Sequence, residues 1–574
     1  MRQTETEASA GEQAEAPIIP VWEKIAGRLA LDSAKAHRFA AVVLAILTLE
    51  LAFAIARGHC PTLNAMVWDV STLLDGGYRV LLGQRPHVDF YSPIGAFCLV
   101  LLAGGIRMAG FASAFAAVHA VMLIALVAWT WTLLWSRTSA VLAAIIPFWV
   151  GVLAVAPRSL GFPPPMVTYS MQYNRWGWAL LSIACIELFL PRRDGVIRAG
   201  AGLSTGLVAG LLLFLKPNYL AAILVAILVR LLLSSFNWKW AAGLAGGFLA
   251  VAVAGFWYLQ FNFGAYLADL RLLAAVQTLP TRIAYIIQLS AANIPDLWFL
   301  ASAMLIAVPC ARRAKVSSAR KLQIVVPPIA LAGLGILTCS ANYQLLQIPL
   351  IYLAVFLLVE YVRRIGGDCE RWGSVAFLMV FLIAAGAAVK PFFDDITTLL
   401  AAGSQPTEPK IRDWPRLETA ALAGLRLEPR PDDISTEAVR GSLRAGAIDW
   451  REDAGDAYPY VLWFNAGVDL LRDRLAARPR VLVMDLSNPF SFALGLEPPT
   501  GDALFWHYKR DFDLVHFPDP SRVFGTVTDV MIPKTPIHRF ATNTLRQIYG
   551  PVLARDFRLA AENDLWIRYQ RRNP

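Results

Sequence analysis

Charged residues are scarce in this chain, and their scarcity excludes most soluble folds. Asp, Glu, Lys and Arg make up 16% of the 574 residues, whereas hydrophobic residues make up 57%. A soluble globular protein carries about 25% charged residues. Apolar runs of about 20 residues, the length that crosses the hydrocarbon core of a bilayer, recur along the sequence as far as Lys390. The composition therefore predicts a polytopic α-helical membrane protein.

Cysteine is also sparse, with 6 residues, no CxxC pair and none after Cys369. This pattern implies neither a disulfide framework nor a zinc site. The net charge of +10 is no sign of nucleic-acid binding, because the basic residues cluster in short loops between apolar runs. We therefore expect the lipid bilayer, and no nucleic acid, among the partners of the chain.

The apolar runs predict about 11 to 13 transmembrane helices. Basic loops at 191–198, 311–322 and 363–372, together with the N-terminal tail, indicate the cytoplasmic side. The candidate spans lie near residues 39–57, 93–110, 112–134, 139–157, 176–190, 199–215, 218–235, 240–260, 295–310, 323–339, 345–362 and 373–390. An odd number of them separates the tail from the 191–198 loop, although two loops on one side require an even number. One span is therefore missed, re-entrant or wrongly split, and 93–134 and 139–175 are the suspect regions.

Polarity divides the chain into three predicted parts. Residues 1–36 form a disordered cytoplasmic tail, and 37–390 form the transmembrane part. Residues 391–574 are polar and proline-rich, which predicts a soluble α/β domain outside the cytoplasm, in the periplasm of a Gram-negative cell, after a linker around 402–416. Its predicted strands lie at 481–486, 513–517, 529–533 and 565–569, and its predicted helices lie at 461–475 and 541–554.

The first outer loop, 58–92, has helical spacing over residues 66–82. Val70, Leu74, Gly77 and Leu81 recur at helical intervals and make one apolar stripe. Glycine at position 83 is a plausible helix stop, and an extended segment follows. Ser92-Pro93 then has the form of a helix start. The pattern predicts a helix lying on the membrane surface.

Three carboxylates in this loop are candidates for a catalytic base: Asp69, Asp75 and Asp89. Asp75 precedes Arg79 by four residues, so an exposed ion pair worth about 0.2–0.5 kcal/mol is an equal explanation for it. Asp89 follows Arg85-Pro86 and is equally explained as a brace for that turn. Asp69 has no cation at the helical i+3 or i+4 position, and the alternative for it is a solvated loop acid.

The run W-D-(x)13-G-Q-x-P-x-x-D-F-x-S-P-I-G, from Trp68 to Gly95, resembles the first outer loop of bacterial GT-C-type glycosyltransferases. Those integral membrane enzymes use polyprenyl-phosphate-linked sugars, and many read Asp-Glu and then Gly-x-x-Pro-Tyr-x-Asp-Phe. The resemblance places Asp69 at the start of the Asp-Glu pair and Asp89 at the later Asp. Two positions depart from the family pattern, because Val70 replaces the Glu and His87 replaces the Tyr. The absent Glu weakens a two-carboxylate or metal mechanism.

Four basic residues are candidates for binding the donor phosphate. Lys216 sits between two apolar spans, where a lysine is costly if it faces lipid, although it could also snorkel from a helix end. The resemblance implies a Lys-Pro-Asn run of this kind near the lipid-phosphate pocket. Arg175 could bind a phosphate bidentately. Arg271 and Arg282 lie in the presumed outer loop 261–293, where solvated charges are the favoured explanation.

Polar residues near the outer ends of two spans suggest a groove for the acceptor or the sugar. Asn174 lies in an aromatic-rich segment that an interfacial aromatic belt explains as well. Tyr343 and Gln344 interrupt two spans on the outer side and could line the same groove.

The sequence thus favours an inner-membrane hexosyl or pentosyl transferase of GT-C-like fold. We expect it to move a sugar from a polyprenyl-phosphate donor to an envelope glycan, lipid or protein acceptor on the outer face, with an Asp of the first outer loop as base. No cofactor is certain, and a divalent cation stays open. Three alternatives remain: a multi-pass transporter, an envelope-polysaccharide polymerase or ligase, and a catalytically inactive GT-C relative.

Overall fold

The computed structural model describes residues 33–56, 66–160, 168–195, 200–276, 279–342, 344, 347–365, 393–399, 436–445 and 458–572. The predicted span 373–390, the predicted linker and Tyr343 lie outside these residues. The helices before residue 366 are α1 (Ala34–Ala56), α2 (Val67–Leu81), α3 (Ala96–Leu134), α4 (Ala140–Val155), α5 (Gln172–Phe189), α6 (Leu203–Leu215), α7 (Pro217–Leu233), α8 (Trp238–Tyr258), α9 (Phe263–Val276), α10 (Leu279–Ala292), α11 (Ile294–Arg313), α12 (Ser318–Ala341) and α13 (Pro349–Ile365).

Several helices begin at polar caps that interrupt the apolar runs. The side chains of Ser139, Asn237 and Ser317 each accept a hydrogen bond from a backbone N–H three residues on, at the starts of α4, α8 and α12. Such caps satisfy one of the unpaired donors at a helix N-terminus. Helix α1 begins at Ala34, inside the predicted tail 1–36, and residues 1–32 lie outside the described part of the chain.

One end of the helix bundle, here called the basic face, is formed by residues 34–37, 135–139, 190–194 and 360–365. The His37 ring donates to the Thr138 carbonyl at 3.0 Å between Nε2 and O, and Arg364 Nη2 donates to the Pro191 carbonyl at 3.0 Å. The opposite end carries the C-terminal sheet and is here called the sheet face. The loop before α3 meets the end of α6 there, since Gly95 N donates to Leu215 O at 2.9 Å.

Helix α3 resolves the parity problem of the predicted spans. Gly110 has a left-handed φ of 74°, and the chain folds back so that a Cβ at Gly105 would lie 2.5 Å from the Ala114 carbonyl oxygen. Phe111, beyond the kink, packs against Phe492 of the C-terminal part at 5.7 Å between ring centroids. The first half of α3 therefore begins and ends at the sheet face, and the predicted span 93–110 is wrong.

An even number of helical segments, namely α1, the second half of α3, α4 and α5, now connects the tail to the 190–194 loop. The apolar composition of residues 93–110 predicted a membrane span, but apolar side chains of this segment such as Leu99 and Leu102 are fully buried within the protein. Burial in protein and burial in lipid select the same side chains. In the described ranges, five helices are long and apolar enough to cross a membrane, and shorter apolar helices accompany them.

The predicted surface helix is buried instead. Helix α2 spans Val67–Leu81, and Val70 and Leu74 of its predicted apolar stripe are fully buried. Gly83 ends the helix as predicted, with a left-handed φ of 90°. The next helix begins at Ala96 with Gly95 as its cap, so the predicted start at Ser92-Pro93 is wrong. The Ser92 hydroxyl instead donates to the Ile94 carbonyl at 2.6 Å.

The C-terminal part contains a four-stranded sheet with helices around it. Its elements are α14 (Thr436–Arg444), α15 (Tyr458–Leu471), the 3₁₀ helix Arg472–Ala477, β1 (Val481–Val483), α16 (Phe490–Leu494), α17 (Pro520–Phe524), β2 (Asp529–Pro533), α18 (Arg539–Asp556), β3 (Phe557–Glu562) and β4 (Trp566–Arg571). The strand order is β1-β2-β4-β3, with β1 and β2 parallel and the other pairs antiparallel.

Three of the four predicted strands are present as β1, β2 and β4. The predicted strand at 513–517 is wrong, because the Asp513 carboxylate accepts the backbone N–H groups of Val515 and His516 and closes a turn. Strand β3 was not predicted. The predicted fold class, a polytopic helical membrane protein with a C-terminal α/β part, is confirmed.

Candidate functional site

One of the three loop acids, Asp75, belongs to an ion-pair network that holds the C-terminal part in place. Arg79 Nε donates to Asp75 Oδ2 at 2.7 Å, and its two terminal nitrogens donate to Asp502 at 2.7 and 2.9 Å. All three side chains are at least 99% buried. Burial raises the pKa of Asp75 to about 6, although the neighbouring Arg79 charge opposes the rise. The predicted Asp75–Arg79 pair is confirmed, but the expectation that it is exposed is wrong.

The rest of the motif docks the same C-terminal segment. The Gln84 amide donates to the Pro498 carbonyl at 3.0 Å, and the Tyr91 backbone N–H donates to the Asp502 carbonyl at 2.8 Å. Asp89 Oδ2 accepts the Arg85 backbone N–H at 2.6 Å, so Asp89 braces the turn as predicted. In this chain the motif therefore fixes the C-terminal part against the helical bundle.

Asp69 has different surroundings from the other two acids. It lies in the first turn of α2, is only partly buried, and accepts a hydrogen bond from the Ser170 hydroxyl at 2.5 Å. Burial raises the pKa of Asp69, whereas the Ser170 hydrogen bond and the Arg510 charge lower it. A carboxylate with a raised pKa at a partly open position suits a general base, because its proton affinity lies closer to neutral pH.

Lys216 lies at the break between α6 and α7, where it is the C-cap of one helix and the N-cap of the next. The motif glycine Gly95 brings the first outer loop to this break, since a Cβ there would lie 1.9 Å from the Phe214 carbonyl oxygen. Lys216 Nζ donates to Asn174 Oδ1 at 3.2 Å and lies 4.8 Å from the centre of the Tyr173 ring. The predicted donor-phosphate residue Lys216 and groove residue Asn174 thus meet at the sheet face.

The turn at 507–512 of the C-terminal part reaches the same place. The charge of Arg510 acts on Asp69 and on Lys216, and the charge of Asp511 acts on Lys216. Burial raises the pKa of Asp511 to about 7, with Arg510 and Lys216 opposing the rise and Asp69 adding to it. Sequence reasoning missed both residues. An Arg-Asp pair in a polar turn has no local signal that separates it from a solvated loop.

Several buried amide atoms around Lys216 have no hydrogen-bond partner among the described residues. They are Asn174 Nδ2, Asn218 Oδ1 and Gln344 Nε2. The other amide atoms are paired, since Trp178 Nε1 donates to Gln344 Oε1 at 2.8 Å and Asn218 Nδ2 donates to Asn342 Oδ1 at 2.8 Å. A buried polar atom without a partner is costly. These atoms therefore offer open hydrogen-bonding positions to a polar ligand.

Arg175 lies in a closed ion-pair network. Its guanidinium donates to both carboxylate oxygens of Asp395 at 3.2 and 3.0 Å and to the Leu153 and Arg158 carbonyls, and Arg158 Nη2 lies 2.8 Å from Asp395 Oδ1. Arg175 is 99% buried. These contacts occupy most of its donors within the protein, which favours a structural role over the predicted phosphate contact.

The other two residues that were predicted to bind the donor phosphate are distant from Lys216 in the sequence, and they lie at the protein surface. Arg271 on α9 and Arg282 on α10 are exposed. In the described ranges, no group of three or more His, Cys, Asp or Glu side chains could hold a metal ion. The candidate site is therefore a cluster of two acids, Asp69 and Asp511, and two basic residues, Lys216 and Arg510.

Comparison with known proteins finds a structural similarity. No family model and no curated protein sequence matches the chain. Two solved structures are similar to it, both of ArnT from Cupriavidus metallidurans. The structure bound to undecaprenyl phosphate has 11% identity and a TM-score of 0.42, and covers 92% of this chain and 97% of that chain. The apo structure has 12% identity and a TM-score of 0.42, and covers 92% and 98%. A TM-score at this level does not assign the chain to a family.

Proposed function

We propose that this protein is a membrane glycosyltransferase that moves a sugar from a polyprenyl phosphate to an acceptor hydroxyl, with Asp69 as the base. One observation carries the proposal. An acid from the first outer loop, a lysine from a helix break and a charged turn from the C-terminal part meet at one face of the bundle. Buried amide atoms with open hydrogen-bonding capacity lie beside them.

This cluster contains the groups that an inverting sugar transfer needs. The acceptor oxygen attacks the sugar C1 and forms the new C1–O bond, while its proton passes to the Asp69 carboxylate. The bond between C1 and the phosphate oxygen breaks, and its electron pair stays with the polyprenyl phosphate. Because the leaving group gains charge, nearby cations stabilise it more than a general acid would. We assign that role to Lys216.

The position of the cluster suits a lipid-linked donor. Lys216 lies where two apolar helices end at the sheet face, so a prenyl chain in the bilayer could bring its phosphate there. A transporter does not need an acid held by a serine at one face of the bundle. We propose that the acceptor is an envelope glycan, lipid or protein and that the transferred sugar is a hexose or pentose.

The function can be tested in a strain that lacks the gene. We expect glycan and lipid A profiles of the deletion strain to lack one sugar that reappears with the wild-type chain. The Asp69→Asn variant should not restore it at equal expression. Identical profiles for the deletion strain and the wild type in every envelope fraction would contradict the proposal.

The proposed location is the bacterial inner membrane, with the basic face in the cytoplasm and the C-terminal part in the periplasm. The basic face carries Arg137, Arg192, Arg193, Arg363 and Arg364, as cytoplasmic loops do. A fusion after residue 366 should give a fluorescent reporter and inactive alkaline phosphatase, and a fusion after residue 400 should give the reverse. Active phosphatase at 366 with fluorescence at 400 would invert the topology and place Asp69 in the cytoplasm.

A further inference from the structure

We propose that the amides around the break between α6 and α7 form the subsite for the transferred sugar, with Gln344 and Asn218 contacting its hydroxyl groups. This inference rests on the proposed function and deepens it. It gives the donor site a part that recognises an uncharged, polyhydroxylated ring, separate from the cation that we assign to the phosphate.

The helix break connects α5 to the end of α12 through amide side chains. Lys216 Nζ, at the break, donates to Asn174 Oδ1 on α5 at 3.2 Å. Asn218 follows Lys216 by two residues, and its Nδ2 donates to Asn342 Oδ1 at 2.8 Å. Asn342 is the C-cap of α12. Side chains from three segments therefore meet at the break.

A contact between α5 and the end of α12 closes the circuit. Trp178 Nε1 donates to Gln344 Oε1 at 2.8 Å. Trp178 follows Asn174 by four residues on α5, so these two side chains lie on one face of that helix. Gln344 follows Asn342 by two residues, and its backbone N–H donates to the Cys339 carbonyl at 3.1 Å. Measured contacts thus place the three amides Asn174, Asn218 and Gln344 in one cluster.

The backbone beneath this cluster is closely packed. The Tyr219 hydroxyl donates to the Asn174 carbonyl at 3.1 Å, and the Tyr219 ring lies edge-on to that of Trp178 at 5.3 Å between centroids. A Cβ at Gly177 would lie 2.7 Å from the Tyr219 ring, so this approach of α7 to α5 requires glycine. The amide side chains therefore extend from fixed positions, as binding groups require.

The orientation of two amides is set by partners that can act in only one way. The indole N–H of Trp178 can only donate, so Gln344 presents its oxygen there and its Nε2 points elsewhere. Asn342 Nδ2 donates to the Thr338 carbonyl at 2.9 Å, so Asn342 presents its oxygen to Asn218. Asn218 must then donate from Nδ2, which leaves its Oδ1 as the open acceptor.

The open positions fit a neutral sugar better than a phosphate. Gln344 Nε2 and Asn174 Nδ2 are donors and Asn218 Oδ1 is an acceptor, and none of the three has a hydrogen-bond partner among the described residues. An ionised phosphate only accepts hydrogen bonds, so it would leave the Asn218 oxygen unpaired. A sugar hydroxyl both donates and accepts, so neighbouring hydroxyls can pair with both kinds of atom.

Burial makes these open positions costly without a ligand. Asn174 is fully buried and Gln344 is 99% buried, and a buried donor without a partner destabilises the protein. Lys216 and Asn218 are half-buried. The break is therefore the side from which a ligand reaches the amides, and it is also where Lys216 would hold the phosphate of the same donor.

The test measures the binding of two kinds of probe to the full-length protein in nanodiscs. One probe is undecaprenyl phosphate, which carries no sugar. The others are the undecaprenyl phosphates of glucose, galactose, mannose, ribose and xylose. Each hydrogen bond to a sugar hydroxyl is worth about three- to tenfold in affinity. We therefore expect the wild type to bind at least one sugar-carrying probe about tenfold or more tightly than undecaprenyl phosphate.

Gln344→Glu is the diagnostic variant, because its Oε1 can still accept the Trp178 indole while the Nε2 donor is lost. We expect the Kd of the preferred sugar-carrying probe to rise by about three- to tenfold. The Kd of undecaprenyl phosphate and the melting temperature should stay close to the wild type. Asn218→Ala should show the same selective loss. The matched control is Asn262→Asp, which keeps the oxygen that caps α9 at Ala265 N, 3.1 Å away, and should leave both Kd values unchanged.

Several results would overturn the assignment. If Gln344→Glu weakens undecaprenyl phosphate as much as the sugar-carrying probe, the amides serve the phosphate and not the sugar. If neither variant changes either Kd, the amides only pack the helices or hold water. If the wild type binds undecaprenyl phosphate but prefers none of the five sugar-carrying probes, the sugar subsite is wrong while lipid-phosphate binding stands. If the wild type binds none of the six probes, the proposed function itself fails.

Discussion

We expect Asp69→Asn to lower sugar transfer by about 10²-fold or more while donor binding and melting temperature stay close to the wild type. Asparagine keeps the shape of the side chain and can still accept the Ser170 hydroxyl, so the local structure has no reason to change. It cannot take a proton from the acceptor. The measurement is turnover of purified enzyme with the donor and acceptor that the glycan profiles identify.

Asp89→Asn is the comparison variant from the same loop. Asp89 Oδ2 accepts only the Arg85 backbone N–H among the described contacts, and an asparagine oxygen can do the same. We expect a loss of activity smaller than that of Asp69→Asn. If Asp89→Asn is the inactive variant and Asp69→Asn retains near-normal turnover, the base is not Asp69.

The pH profile provides a second readout for Asp69. Its carboxylate must be ionised to act as a base, so activity should fall as the pH drops through its raised pKa. Arg510 lowers that pKa, and Asp511 and Asp69 disfavour each other's ionisation. Asp511→Asn should therefore move the acid limb to lower pH, and Arg510→Gln should move it to higher pH. An acid limb that stays in place in both variants would mean that another group is titrating.

The sequence could single out Asp69 as a candidate because the evidence for it is local. The motif marks the position, and no helical neighbour offers it a cation. Strands β1, β2 and β4 were predictable for the same reason, since short β-prone runs between turn residues carry their own signal. Strand β3 has no such signal, because most of its side chains are exposed and it contains no buried apolar run. It belongs to the sheet through its pairing with β4.

The contacts that the sequence could not identify join distant segments. Arg175 meets Asp395, and Arg79 meets Asp502, across hundreds of residues. Arg510 and Asp511 come near the candidate site through the docking of the C-terminal part, to which the motif residues Gln84 and Tyr91 contribute. A pattern read over a window of about 11–18 residues contains none of this. For the same reason, the first half of α3 was predicted to be a membrane span: a short window does not show which distant residues bury an apolar segment.

The second large effect that we expect is on the stability of this docking. Arg79→Met should lower the free energy of unfolding of the C-terminal part by about 3–5 kcal/mol, because it leaves two buried carboxylates without their cation. This exceeds the effect of about 0.2–0.5 kcal/mol that an exposed i,i+4 pair would have. Urea titration followed by a short protease pulse measures the loss.

The matched control is Arg444→Met, which also removes an arginine with two acidic partners. Arg444 pairs with Glu437 and Asp564, but these side chains are 48% to 69% exposed. An exposed pair contributes about 0–1 kcal/mol, so the control should lose little. The triple variant Arg79→Met, Asp75→Asn, Asp502→Asn should recover part of the stability, since it removes the uncompensated charges along with the cation. Equal losses for Arg79→Met and Arg444→Met would mean that the buried network does not hold the C-terminal part. In that case Arg510 and Asp511 would need another anchor to stay beside Lys216.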